Sequence, residues 1–207
     1  PGYSISFSMR FAISLARKGN KVVLIDLDGK KPALYKIFGM KYLEQAELGK
    51  LFNGEIKRNE FRLRRYKRTS LSLAINVNAY PDNHLWIESG IAKDVINALK
   101  PQVDYIIIDT APLSVDSTVT DISKFVDQTM LVVRTDKVRT TSINDAILTI
   151  GEVGGNLAGC ILNDVYPDFA FFGVAGSEDT GGYYYSKKGY GKSYSSYGKY
   201  AEMPTDD

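Results

Sequence analysis

The chain has 207 residues, 44% of them apolar, which is enough for one ordinary domain with a packed core and some length left for a tail. The formal charge of +2 conceals a local excess: positions 57–68 hold seven Lys and Arg against the single acid Glu60, a net of +6, so the remainder carries −4. The lone cysteine, Cys160, excludes an intrachain disulfide, a Cys-rich zinc site and an intrachain iron–sulfur cage, and suits a reducing cytoplasm. No apolar run nears the ~20 residues of a membrane span and the start lacks a signal-peptide pattern, so any membrane anchor is expected outside this chain.

In chain order, Phe7 to Lys18 carries apolar residues at helical spacing and stops at Gly19-Asn20, a helix-ending signal. Lys21-Val-Val-Leu-Ile25 follows as a continuous apolar run, the pattern of a strand buried on both faces of a parallel sheet. Tyr105 to Ile108 and Thr129 to Val133 are strands of the same kind; Leu157 to Leu162 is a further candidate and Ser72 to Val77 a weaker one. Helical patterns lie between them at Ile87 to Leu99, Ser117 to Val126 and Thr141 to Glu152. This alternation predicts an α/β fold with a doubly wound, mostly parallel sheet flanked by helices. The folded domain is expected to cover 1–168. Positions 169–207 turn to Gly, Ser, Lys and Tyr with no period, the composition of a flexible tail, and seven tyrosines fall between 183 and 200.

Two strands run out into acids. Val-Leu-Ile-Asp26-Leu-Asp28 places two carboxylates two residues apart, which converge at the C-terminal edge of the strand if extension persists through Leu27. That edge is where open α/β sheets bind ligands, and magnesium takes one or two carboxylates together with phosphates and water. Asp104-Tyr-Ile-Ile-Ile-Asp109-Thr-Ala-Pro112 repeats the pattern, as does the strand whose Asp holds the magnesium shell in phosphoryl-transfer enzymes. Either strand alone equally suits a turn-forming aspartate; the two together, in this order, favour the metal-binding reading.

With these motifs the chain resembles the cytoplasmic domain of bacterial tyrosine autokinases of the capsule and exopolysaccharide type, relatives of the septum-positioning and partition ATPases. The resemblance rests on Asp26-Leu-Asp28-Gly-Lys30-Lys31-Pro32, on Asp109-Thr110-Ala111-Pro112, on the tyrosine cluster, and on Gly159-Cys-Ile-Leu-Asn163. It implies a P-loop NTPase fold using ATP and Mg2+, with Asp26 near the transferring phosphate, Asp28 assisting metal and nucleophile, Asp109 holding the metal's water shell and Asn163 near the adenine. Lys30 stands where the family prefers Arg. Tyr183, Tyr184, Tyr185, Tyr190, Tyr194, Tyr197 and Tyr200 would be the phosphate acceptors. Further implied are a ring-like homo-oligomer, a membrane polysaccharide co-polymerase that regulates chain length, a tyrosine phosphatase, and a place at the inner face of the cell membrane.

One motif departs from the family. There, a Gly-rich loop ending in Gly-Lys-Ser/Thr precedes the first helix, and its amides and lysine grip phosphate. Here the stretch is Pro1-Gly2-Tyr3-Ser4-Ile5-Ser6, with Ser4 or Ile5 at the lysine position and Ser6 at the hydroxyl position. Gly2, Ser4 and Ser6 remain the phosphate-binding candidates, and the strand that feeds the loop, mid-sheet in the family, would precede Pro1. A noncatalytic assembly module of the same polysaccharide machinery is therefore the alternative reading, and a partition-type ATPase a second one. The basic run 57–68 reads as a solvated helical face, or more sharply as a surface for anionic headgroups or phosphotyrosines; no specific nucleic acid is expected, since a basic segment alone supplies only nonspecific phosphate attraction. His84 lacks the partners of a catalytic triad and reads as a loop residue.

Overall fold

A computed structural model describes residues 3–135 and 137–163, with side chains from Phe7 onward. The tail tyrosines and the expected boundary at 168 lie outside the described residues. Helix α1 (Tyr3–Arg17) leads into strand β1 (Val22–Asp26), the short helices α2 (Leu34–Ile37) and α3 (Leu48–Phe52), and strands β2 (Arg64–Arg65) and β3 (Leu71–Ala74). Helices α4 (His84–Glu88) and α5 (Ile91–Leu99), strand β4 (Tyr105–Asp109), helix α6 (Thr118–Ser123), strand β5 (Thr129–Arg134), helix α7 (Thr140–Glu152) and strand β6 (Leu157–Asn163) complete the order.

The strands form a four-stranded sheet in the order β2-β3-β1-β4 and a separate pair, β5-β6. All pairings are parallel except β2 with β3 at the edge. The α/β, mostly parallel architecture expected from the alternating pattern is present. β1 is buried along its whole length, as its uninterrupted apolar run requires. It sits mid-sheet, with Val22–Ile25 opposite Leu71–Ala74 on one side and Val22–Asp26 opposite Tyr105–Asp109 on the other. Its two faces feed two cores. One joins Val23 and Ile25 to Leu48, Phe52, Trp86 and Ile96; the other joins Val22 and Leu24 to Ala12, Ala16, Leu34 and Leu71.

α1 ends as the Gly19-Asn20 signal implies. Gly19 takes φ +92, Asn20 N–H donates to the Leu15 carbonyl, and the Asn20 side chain donates to the same oxygen. Its start differs from the expected Phe7: the helix already runs from Tyr3. The predicted helix 87–99 is two helices, broken where Gly90 adopts φ +79. His84 opens α4 and is not in a loop. The basic run is not a helical face either. It forms turns and β2, and its arginines cap backbone carbonyls: Arg62 donates to Asn59, Arg64 to Lys41 and Arg65 to Thr69. A charged, two-residue edge strand of this kind discourages edge-to-edge pairing. β4 and β5, expected to be buried like β1, are only half-buried, with Tyr105 and Met130 each 44% exposed.

Asn76 ties the outer loops to the central strand. Fully buried, it accepts from the Gly49 amide at 2.7 Å and donates to the Asp26 carbonyl at 3.3 Å. Asn76→Ala leaves a buried donor and a buried acceptor unpaired and is expected to destabilise the chain by about 2–4 kcal/mol in urea titration. A loss under about 0.5 kcal/mol would show that the two groups find other partners.

Candidate functional site

The C-terminal edge of the sheet gathers the candidate residues because parallel strands all end there. Asp26 closes β1 and Asp109 closes β4, directly opposite each other in the ladder. Both are buried, at 1% and 3% exposure. Beyond them the Leu27 amide donates to the Asp109 carbonyl at 2.8 Å, extending the pairing by one step. The chain then turns. Gly29 N–H bonds to the Leu27 carbonyl, and the Asp28 amide folds back onto Asp26 Oδ1 at 3.1 Å. The extended pairing thus reaches through Leu27, and the Asp28 charge lies near enough to Asp26 and Asp109 to act on both. The Asp28 carboxylate accepts from the Lys31 amide at 3.0 Å, holding the loop that leads to Pro32. Gly29 is required by close approach, since a Cβ there would lie 2.5 Å from the Asn83 Cβ and 2.9 Å from the Tyr80 carbonyl oxygen.

Ser8, on the second turn of α1, donates its hydroxyl to Asp109 Oδ1 at 2.7 Å. The sequence motif points to Ser4 and Ser6 rather than to Ser8. Both of those lie within α1, and Gly2 lies outside the described residues. A signal was available: with the helix starting at Tyr3, Ser8 shares the side of α1 that carries the buried Ala12 and Ala16. Lys30 is engaged by Asp116 at 3.2 Å. Asp116 also accepts from the Thr118 amide and hydroxyl at the start of α6, so this pair joins the loop after β1 to the segment after β4. Asn163 ends β6 opposite Arg134 of β5, and its carbonyl accepts from the Thr135 amide and hydroxyl.

The electrostatics follow from this packing. Burial, then the facing Asp109, pushes Asp26 well above its ordinary value, with the Asp28 and Leu34 amides pulling the other way. Burial raises Asp109 to about 6, opposed by the Ser8 hydroxyl and reinforced by Asp28. Burial alone would raise Asp116 too, but the Thr118 donors and Lys30 outweigh it and lower it. One oxygen on each central acid, Asp26 Oδ2 and Asp109 Oδ2, is buried without a hydrogen-bond partner. Two like-charged groups with inward lone pairs unmet by any donor suit a cation. Among the described residues no three His, Cys, Asp or Glu side chains cluster as a metal cage. The pair therefore fits an ion such as magnesium, which draws its remaining ligands from phosphate and water, better than a metal enclosed by protein alone.

A mostly parallel sheet in which two neighbouring strands end in facing aspartates, with a helix hydroxyl set against one of them, matches the fold of P-loop nucleoside triphosphatases. In structure the chain is similar to the kinase domain of VpsO (TM-score 0.72, 24% identity, 80% of this chain and 81% of that one). It is also similar to the septum-site protein MinD of Pyrococcus horikoshii, solved with Mg-ADP (TM-score 0.64, 17% identity, 77% and 64%). In sequence it is similar to bacterial tyrosine-protein kinases. It is 25% identical over 159 residues to the putative tyrosine-protein kinase CapB of Staphylococcus aureus, covering 75% of this chain and 67% of that one. It is 24% identical over 158 residues to the tyrosine-protein kinase Ptk of Acinetobacter johnsonii, of which it spans only 21%. No protein-family model matches the chain. The kinase resemblance and the P-loop fold expected from the sequence thus both hold. No described helix is long and apolar enough to cross a membrane.

The raised carboxyls make stability depend on pH. Because Asp109 is a weaker acid folded, near 6, than unfolded, near 3.8, the native state holds more protons between those values. Stability is therefore expected to fall as pH rises through about 4 to 6, with Asp26 acting in the same direction and Asp116 in the opposite one, below this window. Asp109→Asn is expected to flatten that fall and stabilise the protein at neutral pH by up to about 3 kcal/mol. Melting curves of the two proteins from pH 4 to 8 check this, and parallel profiles would show that Asp109 is not the group responsible.

Proposed function

We propose that this chain is the nucleotide-binding domain of a bacterial tyrosine kinase system for capsule or exopolysaccharide, with Mg-ATP seated at the C-terminal edge of the sheet. The observation that carries the reading is the facing pair Asp26 and Asp109, buried in register, each with an unpartnered oxygen. Asp26 and Asp109 would hold the metal, with Asp28 beside them in the loop. A magnesium ion held there would supply positive charge against the negative charge that develops on the phosphate during transfer. Ser8 orients the Asp109 carboxylate, and Asn163 at the end of β6 would lie toward the base. Lys30 can serve phosphate only by leaving Asp116. Ser4 and Ser6 would offer hydroxyls and Gly2 an amide toward phosphate. Tyr183, Tyr184, Tyr185, Tyr190, Tyr194, Tyr197 and Tyr200 would accept the phosphoryl group. Each phosphotyrosine adds about −1.5 to −2 charge, enough for several to drive neighbouring copies apart or recruit a basic surface.

The system-level reading follows the kinase relatives. It comprises a ring-like homo-oligomer at the inner face of the membrane, a chain-length-regulating polysaccharide co-polymerase as anchor, and a tyrosine phosphatase to reset the tail. A second reading, a noncatalytic assembly module, is favoured by one observation. Nothing in Pro1–Ser6 is a lysine, and Lys30 is already paired.

Calorimetric titration with Mg-ATP, followed by mass spectrometry of the tail, tests the choice alongside Asp26→Asn. Magnesium-dependent binding lost in the variant, with phosphate on tyrosines 183–200 of the parent, is the expected outcome. Binding without label, even beside an active homologous kinase, would favour the assembly module; no binding at all would sink the nucleotide reading.

A further inference from the structure

Two segments distant in sequence meet along the outer edge of the four-stranded sheet. β2 is the last strand there and pairs only with β3. Positions 41–45 run beside it: the Arg62 amide donates to the Gln45 carbonyl at 2.7 Å, and the Arg64 guanidinium donates to the Lys41 carbonyl. Nearby, Phe38 after α2 meets Tyr66 after β2 edge to face, with ring centres 4.9 Å apart. Tyr42 and Leu43 therefore lie between the contact points of two arginines. They stand in solvent, 49% and 45% exposed, as does Ile37 at the end of α2, at 45%. Large apolar side chains exposed together beside a polar rim mark a surface that meets something.

The charge of this surface has one sign. Positions 36–43 and 61–69 together hold seven Lys and Arg and no Asp or Glu. Arg62, Arg64 and Arg65 donate to backbone carbonyls, which fix a guanidinium in place without neutralising it. At the two ends of the surface, Glu44 is held by Lys50 at 2.7 Å and Glu60 accepts from the Lys57 amide. The turn between β2 and β3 carries Lys67, exposed at φ +48, a backbone conformation uncommon outside glycine, and the exposed Arg68.

Cations alone would suit any polyanion, and apolar side chains alone another protein. Their interleaving selects a bilayer interface, where Ile, Leu and Tyr enter the boundary between headgroup and acyl chain while Lys and Arg meet anionic headgroups. Nucleic acid is held through phosphate contacts and stacked bases, and offers exposed aliphatic side chains no partner. We propose that this outer edge, built from positions 36–43 and the β2–β3 hairpin, is a membrane-contact surface that docks the domain on anionic phospholipid. It gives the domain a lipid contact of its own, separate from any protein anchor, and does not rest on nucleotide binding or phosphoryl transfer. β1, which carries Asp26, lies two strands in from β2, about 10 Å away at the usual strand spacing, so the carboxylate pair stays clear of the docked edge.

Flotation of the 207-residue chain with vesicles at near-physiological salt tests this, comparing equimolar phosphatidylglycerol and phosphatidylcholine with phosphatidylcholine alone. Binding to the anionic vesicles only is expected. Each basic residue at an anionic surface is worth about fivefold in partitioning, so Lys41→Gln with Arg68→Gln is expected to weaken binding about 25-fold. Ile37→Ser with Leu43→Ser is expected to weaken it about tenfold while leaving retention on heparin, a polyanion with no apolar phase, unchanged. All four side chains are exposed, so both variants are expected to keep the parent melting temperature; should one lose it, the other decides. No binding to the anionic vesicles overturns the proposal. So does binding that both variants retain, which the lysines between 183 and 200 would explain, and so does binding lost with charge alone, which marks a surface for soluble polyanions. A parent chain that is oligomeric and becomes monomeric on Ile37→Ser with Leu43→Ser also overturns it, because a second copy then covers the patch.

Discussion

The parallel register of β1 against β4 is the constraint on which the site depends. It sets Asp26 opposite Asp109 at the end of two buried strands, where neither carboxylate reaches water freely. A shift of one residue would turn one of the two acids to the opposite face of the sheet, and the pair would cease to exist. The register is held by apolar contacts on both faces of β1, from Ala12 and Ala16 of α1 on one side and Trp86 and Ile96 on the other. The site is thus a by-product of core packing that places charge where the fold alone would not want it. Like charges buried together lower stability, and apolar replacements of similar size often raise it. Such a cost is characteristic of positions where function sets the residue.

The central strand was readable from sequence because burial on both faces leaves no place for a polar residue. Lys21-Val-Val-Leu-Ile25 has no polar interruption, and it became the fully buried central strand. The two strand-terminal acids stood out for the same reason: Asp26 and Asp109 are the first polar residues after apolar runs. Gly19-Asn20 announced the end of α1, since few residues other than glycine take φ near +90 without strain.

What stayed hidden depends on contacts between distant segments or on short elements with no periodicity to display. Ser8 is one serine among several until the start of α1 and the end of β4 are both placed. Lys30 looks like a free phosphate ligand until α6 brings Asp116 to it. The basic run suggested a helix by its charge density, but its arginines are spent on carbonyls in turns, an arrangement that composition does not encode. α2 and α3 are too short for a helical period to be visible, and packing rather than intrinsic propensity holds them.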